Sequence, residues 1–171
     1  MTRQLVVRRS VILLNYVPDE QELYGEALRR AGFDVTTCGN PLDALDELFK
    51  SPPAAFVTRI LQPGYTLDGI EITRRIKQSE RTRHVAVVIT STQIQAHYRD
   101  AAMQAGCDAY ILLPALPDEV VGAVRRLIQP STSAAASRSH DIERRRIPRR
   151  SVVPEPTNDE TSEPTDDETS V

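Results

Sequence analysis

The sequence predicts an α/β fold in which a five-stranded parallel sheet is covered by helices on both faces. Two observations carry the prediction: the chain holds five short apolar runs, and a helical pattern follows each of them. Apolar runs that are continuous rather than alternating are typical of strands buried on both faces. Strands that alternate with helices indicate a doubly wound sheet, whose ligand sites lie at the carboxyl ends of the strands.

The predicted strands are short runs, and four of the five are rich in Val, Ile or Leu. The first run ends at Asn15 and is followed by acidic residues, so it indicates a buried strand rather than a signal peptide. The five predicted strands cover residues 10–14, 33–38, 54–60, 84–90 and 109–113.

The predicted helices have recognisable starts and stops. The first begins near Pro18 and ends at Gly32, and the second has Asn40 as its cap before Pro41. The third begins near Gly69, the fourth lies within 95–105, and the fifth begins near residue 117. The residues predicted to face inward on the first two helices are Leu23, Ala27, Leu28 and Ala31, then Leu42, Leu45, Leu48 and Phe49.

Composition divides the chain into a body and two appended segments. Residues 1–130 form the predicted domain, and 131–150 read as a linker that is first Ser/Ala-rich and then Arg-rich. Residues 151–171 contain no Lys or Arg and hold a near-perfect acidic Pro/Thr/Ser repeat, which predicts disorder.

Charge and cysteine content exclude several classes of protein. The net charge of −3 arises in the appended segments, so the neutral body gives no reason to expect nucleic acid as its partner. Two distant cysteines signal neither zinc nor a disulfide framework. Without a membrane-length apolar segment, we expect a soluble cytoplasmic protein.

Four stretches near strand ends carry a resemblance to a known family. They are 11–19 (VILLNYVPD), 61–71 (LQPGYTLDGIE), 87–91 (VVITS) and 105–114 (AGCDAYILLP). In this order and spacing they resemble the receiver domain of bacterial response regulators, the CheY-like family, over about 10–128. The resemblance implies the flavodoxin-like (βα)5 fold, with strand order 2-1-3-4-5.

The resemblance also implies a phosphorylation site, and this sequence departs from it. The family uses two acids after strand one and an Asp after strand three to hold Mg²⁺, and that Asp accepts the phosphoryl group. Asn15 and Tyr16 stand at the positions of the acid pair, Arg59 at that of the acceptor, and Leu113 at that of the family's Lys. We therefore expect a degenerate site with no catalytic residues, no metal and no cofactor, in which Mg²⁺ binding is lost.

Two other acids are candidate substitutes for the missing carboxylates. Asp19 more simply belongs to the first turn of helix one, and Asp68 to the turn into helix three. Arg59 itself has two interpretations: it points into solvent, or it sits in the old pocket and pairs with Asp19 or another nearby acid. The second is favoured as a hypothesis.

The switch positions of the family are partly retained. Thr90 matches its hydroxyl residue, and Tyr110 matches its aromatic residue three positions before the Lys. One interpretation is a switch pair that couples the site to the face made by helix four, strand five and helix five. The other is a strand end and a half-buried filler residue.

The Arg-rich segment 143–150 resembles the entrance motif of PilZ domains, which bind cyclic diguanylate. Arg145 with Arg149, or Arg146 with Arg150, fits the spacing of that anion-binding motif, but no barrel follows. Binding of cyclic diguanylate or nucleic acid is therefore not expected, and a solvated linker is the commoner explanation.

The leading functional hypothesis is a pseudo-receiver of two-component, phosphorelay-type signalling. It would be a non-enzymatic module that binds a signalling protein, or a second copy through helices four and five, independently of phosphate. The first alternative is a phosphorylatable response regulator with a non-standard acceptor. The second is nucleotide or nucleic-acid binding through 144–150.

Overall fold

The protein's structure, a computed structural model, describes residues 9–129. Five strands and five helices alternate along this part of the chain, as the sequence predicts. They are β1 (Ser10–Leu14), α1 (Pro18–Arg30), β2 (Asp34–Cys38), α2 (Pro41–Lys50), β3 (Ala55–Arg59), α3 (Gly69–Gln78), β4 (Ala86–Ser91), α4 (Ala96–Ala105), β5 (Ala109–Leu112) and α5 (Pro117–Ile128).

The strands form one parallel sheet in the order β2-β1-β3-β4-β5, which confirms the flavodoxin-like topology. In the register of β3 and β4, Arg59 lies opposite Thr90 at the carboxyl end of both strands. β3 is the central strand and β1 lies beside it, and the residues of both strands are almost all buried. The functional positions of the sequence therefore meet where the central strands end.

Helices cover both faces of the sheet and create two separate cores. On one face, α2, α3 and α4 pack on alternate strand residues such as Leu14, Phe56 and Ile89. On the other face, α1 and α5 pack on the intervening residues, including Leu13 and Val57. Because side chains alternate along a strand, continuous apolar runs supply both cores at once.

The ends of α1 and α2 show why the sequence breaks there. Gly32 adopts a φ of 92°, and it and Phe33 donate backbone hydrogen bonds to Arg29 and Leu28, which forms a Schellman motif after α1. Asn40 caps α2, because its side-chain oxygen accepts hydrogen bonds from the backbone amides of Leu42 and Asp43.

Two of the predicted inward residues are wrong. Leu23 is 50% exposed and Leu42 is 58% exposed, whereas Tyr24, which was not assigned inward, is buried. α1 packs on β1 through the line of Tyr24 and Leu28, which puts Leu23 about 100° around the helix. The bounds of β2 to β5 also differ from the predicted runs by one or two residues. Within residues 9–129, no helix has the length and apolar character that a membrane span requires.

Candidate functional site

The predicted pocket residues all lie at the carboxyl edge of the sheet, and three of the four are linked by contacts. Asn15 and Tyr16 directly follow β1, and Arg59 is the last residue of β3. These three are joined through contacts with Glu20, in α1, or with one another. Leu113, which follows β5, instead packs with the core between α1 and α5, and its peptide bond to Pro114 is cis.

Arg59 lies inside the pocket rather than in solvent. Its side chain is only 10% exposed, and its Nη1 donates a hydrogen bond of 2.7 Å to Oε2 of Glu20, whose side chain is 30% exposed. The predicted pairing of Arg59 with an acid is therefore present. The partner is Glu20 and not Asp19, which is exposed at the second position of α1.

Sequence reasoning missed Glu20, although a signal for it existed. Glu20, Tyr24 and Leu28 are spaced four residues apart, so they share one face of α1. Tyr24 and Leu28 are buried on β1, and the same face carries the Glu20 carboxylate to the end of the sheet. A carboxylate at the start of a buried helical stripe is thus the feature that identifies the partner of Arg59.

Asn15 is 2% exposed, and both polar atoms of its side chain are hydrogen-bonded. Its Nδ2 donates to Oε2 of Glu20 at 3.1 Å, and its Oδ1 accepts from the backbone amide of Val17 at 2.9 Å. The Gln21 side chain then donates to the backbone oxygens of Asn15 and Cys38 at 2.8 Å each. These bonds tie the start of α1 to the ends of β1 and β2.

Tyr16 covers the Arg59 guanidinium from the solvent side. The Cζ atom of Arg59 lies 5.3 Å from the centroid of the Tyr16 ring, within the range of a cation–π contact. Tyr16 is itself 37% exposed, so it forms the outer wall of the pocket. An aromatic ring and a carboxylate thus contact the same cation.

The first residue of α3 lies in close contact with the backbone at the end of β3. A Cβ atom on Gly69 would lie 2.2 Å from the backbone oxygen of Arg59, so only glycine fits there. The Gly69 amide donates to the oxygen of Ile60 at 2.7 Å, and Asp68 caps α3 through the amide of Glu71. Asp68 is therefore committed to the helix end, as the simpler interpretation predicts.

Gln62 lies in the same loop and is 95% buried. Its Nε2 donates to the backbone oxygen of Arg59 at 3.1 Å, whereas its Oε1 has no hydrogen-bond partner in residues 9–129. The Gln62 side chain thus attaches the loop after β3 to the backbone of Arg59. Nothing in the sequence pattern singled out this glutamine.

Thr90 lies opposite Arg59 in the sheet, Tyr110 lies in β5, and no hydrogen bond joins their side chains within residues 9–129. The Thr90 hydroxyl is buried and donates to the backbone oxygen of Thr58 at 3.4 Å. The Tyr110 hydroxyl donates to the backbone oxygen of Gln93 at 3.1 Å, which attaches β5 to the loop before α4. Thr90 therefore faces β3, while Tyr110 faces the α4 side.

Burial shifts the pKa values of groups near the sheet, among them those of Tyr24 and Cys107. Burial, reinforced by the Glu20 carboxylate, raises the pKa of the Tyr24 phenol, which donates to the backbone oxygen of Ala115 at 3.1 Å. Burial, and secondarily the charge of Asp108, raises the pKa of the Cys107 thiol to about 11. Both groups are therefore held in their neutral forms.

The remaining predicted residues lie outside the described residues. They are the segments 131–150 and 151–171 and the four arginines Arg145, Arg146, Arg149 and Arg150. The linker, the disordered repeat and the anion-binding role of these arginines stay predictions.

Comparison with known proteins bears on the family and the fold. The sequence profile of the response regulator receiver domain matches residues 12–125. Response regulator Rre1 of Synechocystis sp. is 28% identical over 137 residues, which cover 78% of this chain and 58% of that protein. Transcriptional regulatory protein PrrA of Mycobacterium tuberculosis is 30% identical over 115 residues, which cover 67% of this chain and 48% of that protein.

Solved structures share the fold. A putative response regulator from Chloroflexus aurantiacus superposes with a TM-score of 0.65 at 24% identity, covering 70% of this chain and 97% of that one. The chemotaxis response regulator CheY4 of Vibrio cholerae gives 0.63 at 14% identity, covering 69% and 97%. The chain spans about half the length of the curated relatives described above. The profile match over most of the described residues, on this five-stranded sheet, shows that the chain belongs to the response regulator receiver domain family.

Proposed function

We propose that the chain is a pseudo-receiver of two-component signalling that acts through protein contacts independently of phosphorylation. The observation that carries the proposal is the Arg59 guanidinium, buried at the acceptor position and 2.7 Å from the Glu20 carboxylate. Phosphoryl transfer to a receiver needs a carboxylate nucleophile and cations that offset the developing charge. The Arg59 side chain carries only N–H donors and offers no carboxylate nucleophile.

The residues of the pocket do not fit a magnesium ion. Mg²⁺ prefers several carboxylate or water oxygens in octahedral geometry. Here the Asn15 oxygen already accepts from Val17, and Glu20 is bound by Arg59 and Asn15. In residues 9–129, no three His, Cys, Asp or Glu side chains cluster closely enough to hold a metal. The Arg59 charge replaces the metal's charge instead.

A non-standard acceptor receives no support from the neighbouring acids. Asp19 is exposed in the first turn of α1, where it complements the helix dipole. The Oδ1 atom of Asp68 accepts a hydrogen bond from the backbone amide of Glu71. Neither carboxylate has a contact with Arg59, Thr90 or Leu113 among the hydrogen bonds of the described part of the chain.

The face formed by α4 and β5 supports the protein-contact part of the proposal. A groove of about 350 Å³ lies there, lined by Ile94, Tyr110 and Leu112 among others. Ile94 is 81% exposed, and Leu112 is also exposed, so this face presents apolar surface to solvent. A signalling protein, or a second copy joined through α4 and α5, would bury that surface in the cytoplasm.

The phosphorylation half of the proposal is tested by intact mass spectrometry after incubation with Mg²⁺ and acetyl phosphate. We expect no phosphoryl adduct, while a receiver with an intact acid pair, acceptor Asp and Lys reacts under the same conditions. An adduct on this chain at significant occupancy would overturn the pseudo-receiver assignment.

The protein-contact part of the proposal is tested by the variants Ile94→Glu and Leu112→Glu. Leu42→Glu, at an exposed leucine of α2, is the matched control. Sedimentation velocity measures self-association, and cross-linking in cell extract measures the formation of a complex with another protein. Both experiments are run with and without phosphodonor. Loss of a central apolar contact costs about 2 kcal/mol or more, so we expect complexes at least tenfold weaker in the first two variants. Equal complexes in all three variants, or dependence on phosphodonor, would contradict the proposal.

A further inference from the structure

Charge in this domain is segregated along the strand direction. The helices run antiparallel to the strands, so helix C-termini lie at the amino edge of the sheet and N-termini at the carboxyl edge. Four helices begin with acidic residues in their first turn and end with basic residues in their last turn. We call six arginines at the amino edge the basic edge: Arg9, Arg29, Arg81, Arg83, Arg125 and Arg126.

Contacts between elements show that the basic edge is drawn together from both faces of the sheet. Arg125, at the end of α5, donates to the backbone oxygen of Ala31, which follows α1, at 3.3 Å. Arg81, before β4, donates to the backbone oxygen of Lys50, at the end of α2, at 3.3 Å. The backbone oxygen of Arg9 accepts from the Asp34 amide, which places Arg9 beside the start of β2.

The positive charge of this edge is not neutralised locally. All six arginines are exposed, and none has an acidic side chain within ion-pair distance in residues 9–129. The acids at this edge that also lack such a partner are Asp34 and Glu80, which leaves an excess of four positive charges. Five helix C-termini contribute about −0.5 each, roughly −2.5 in all, so the edge stays positive.

Helix electrostatics explains only part of this pattern. Basic residues in a last turn complement the helix dipole, which accounts for Arg29, Arg125 and Arg126. Arg81 donates to a carbonyl at the C-terminus of α2 and so shares in that effect, whereas Arg9 and Arg83 lie outside the helices and have no such side-chain bond within residues 9–129. The loops therefore add charge to an edge that the helix ends had already made basic. The net charge of the body sums both edges and so does not report the positive charge of this one. For that reason the neutral body predicted no polyanionic partner.

We propose that the basic edge binds the phosphate backbone of duplex DNA without reading its base sequence. Every member is an arginine, whose planar donors match phosphate oxygens. Five strands about 4.8 Å apart make this edge roughly 20 Å wide, and duplex DNA presents a phosphate charge about every 1.7 Å along its axis. The proposal does not depend on the state of the Arg59 pocket.

The experiment measures binding of the full chain to a short labelled duplex by fluorescence anisotropy at about 50–200 mM salt. The edge variant combines Arg9→Gln, Arg29→Gln, Arg83→Gln and Arg126→Gln. The control removes the same charge from the Arg-rich segment through Arg144→Gln, Arg145→Gln, Arg146→Gln and Arg150→Gln. Melting curves of both variants check that the fold is intact, and the single variants Arg83→Gln and Arg126→Gln serve if the combination unfolds.

We expect equal affinity for two duplexes of unrelated sequence and a steep salt dependence. Each lost phosphate contact lowers the slope of log K against log salt by about 0.9, so the edge variant should lose up to roughly 3.6 and bind at least tenfold more weakly. Either single variant should lose about 0.9 of the slope. Absence of binding by the full chain at about 50 mM salt overturns the proposal.

Three further results would also overturn it. The first is an edge variant that binds like the natural chain while the control variant loses all affinity, because the Arg-rich segment would then act alone. The second is displacement of the duplex by polyglutamate at equal charge concentration, which would indicate an acidic protein as the occupant. The third is salt-sensitive self-association, seen by sedimentation, that accounts for the whole anisotropy change, because a second copy would then be the occupant.

Discussion

Glu20 and Arg59 should stabilise the domain as a pair, and the cost of breaking the pair should depend on which partner remains. Removing one member of a buried ion pair costs about 3–5 kcal/mol, because the other charge is left uncompensated. Arg59→Met leaves Glu20, which at 30% exposure can be partly hydrated, so we expect a loss of about 1–2 kcal/mol. Glu20→Gln leaves Arg59 at 10% exposure without a counter-charge, and we expect about 2–4 kcal/mol.

A double-mutant cycle by urea denaturation measures the coupling directly. We expect the double variant to be less destabilised than the sum of the single variants by at least about 1.5 kcal/mol, since it leaves no buried charge behind. The exposed pair of Arg30 and Glu26, with the same substitutions, is the control and should couple by only about 0.3–0.5 kcal/mol. Additivity of the buried pair to within about 0.5 kcal/mol would refute the reasoning.

Three further predictions concern local packing, capping and ionisation. Gly69→Ala should lower the free energy of unfolding in urea by about 3 kcal/mol or more, because the new Cβ would overlap the Arg59 oxygen. The control Gly122→Ala on α5 should raise the free energy of unfolding by about 0.5–1 kcal/mol. Equal effects of the two substitutions would contradict the close approach at Gly69. Asn40→Ala should cost about 1 kcal/mol, while Gln95→Ala, at an N-cap without a side-chain bond, should cost almost nothing; equal losses would contradict the capping assignment. The raised pKa of Cys107, about 11 against 9.0, should slow alkylation of the native thiol at least roughly 100-fold near pH 8 relative to the urea-unfolded chain, and rapid native alkylation would contradict its burial. Because the folded pKa is the higher one, the same thiol should stabilise the fold below about pH 9 and lose that contribution as the pH rises toward 11.

The fold was accessible from sequence because each local signal agrees with its neighbours. Continuous apolar runs required burial on both faces, and caps such as Asn40 and Gly32 marked where helices begin and end. The orientation of a helix about its axis is set by packing against the whole sheet, which is why Leu23 and Leu42 were wrongly placed inward.

The candidate site was predictable only where it depends on strand ends. Parallel strands bring their carboxyl ends together, so the proximity of Asn15 and Arg59 follows from order alone. The partner on α1 depends on the helix's rotation and on a side-chain torsion, and Glu20 was therefore missed. The Gln62 interaction depends on the path of an irregular loop, which no periodic pattern reports.

Under the function proposed above, the ion pair of Arg59 and Glu20 also bears on how such a domain could regain the family's chemistry. A single Arg59→Asp reversion would set a new carboxylate against Glu20, with no cation between them and with Asn15 unable to help gather one. Two like charges in a buried site repel, so the first step of the reversal would destabilise the fold before it restored any reactivity. Under the proposed loss of phosphorylation, regaining the family's chemistry would therefore require several coordinated substitutions rather than one.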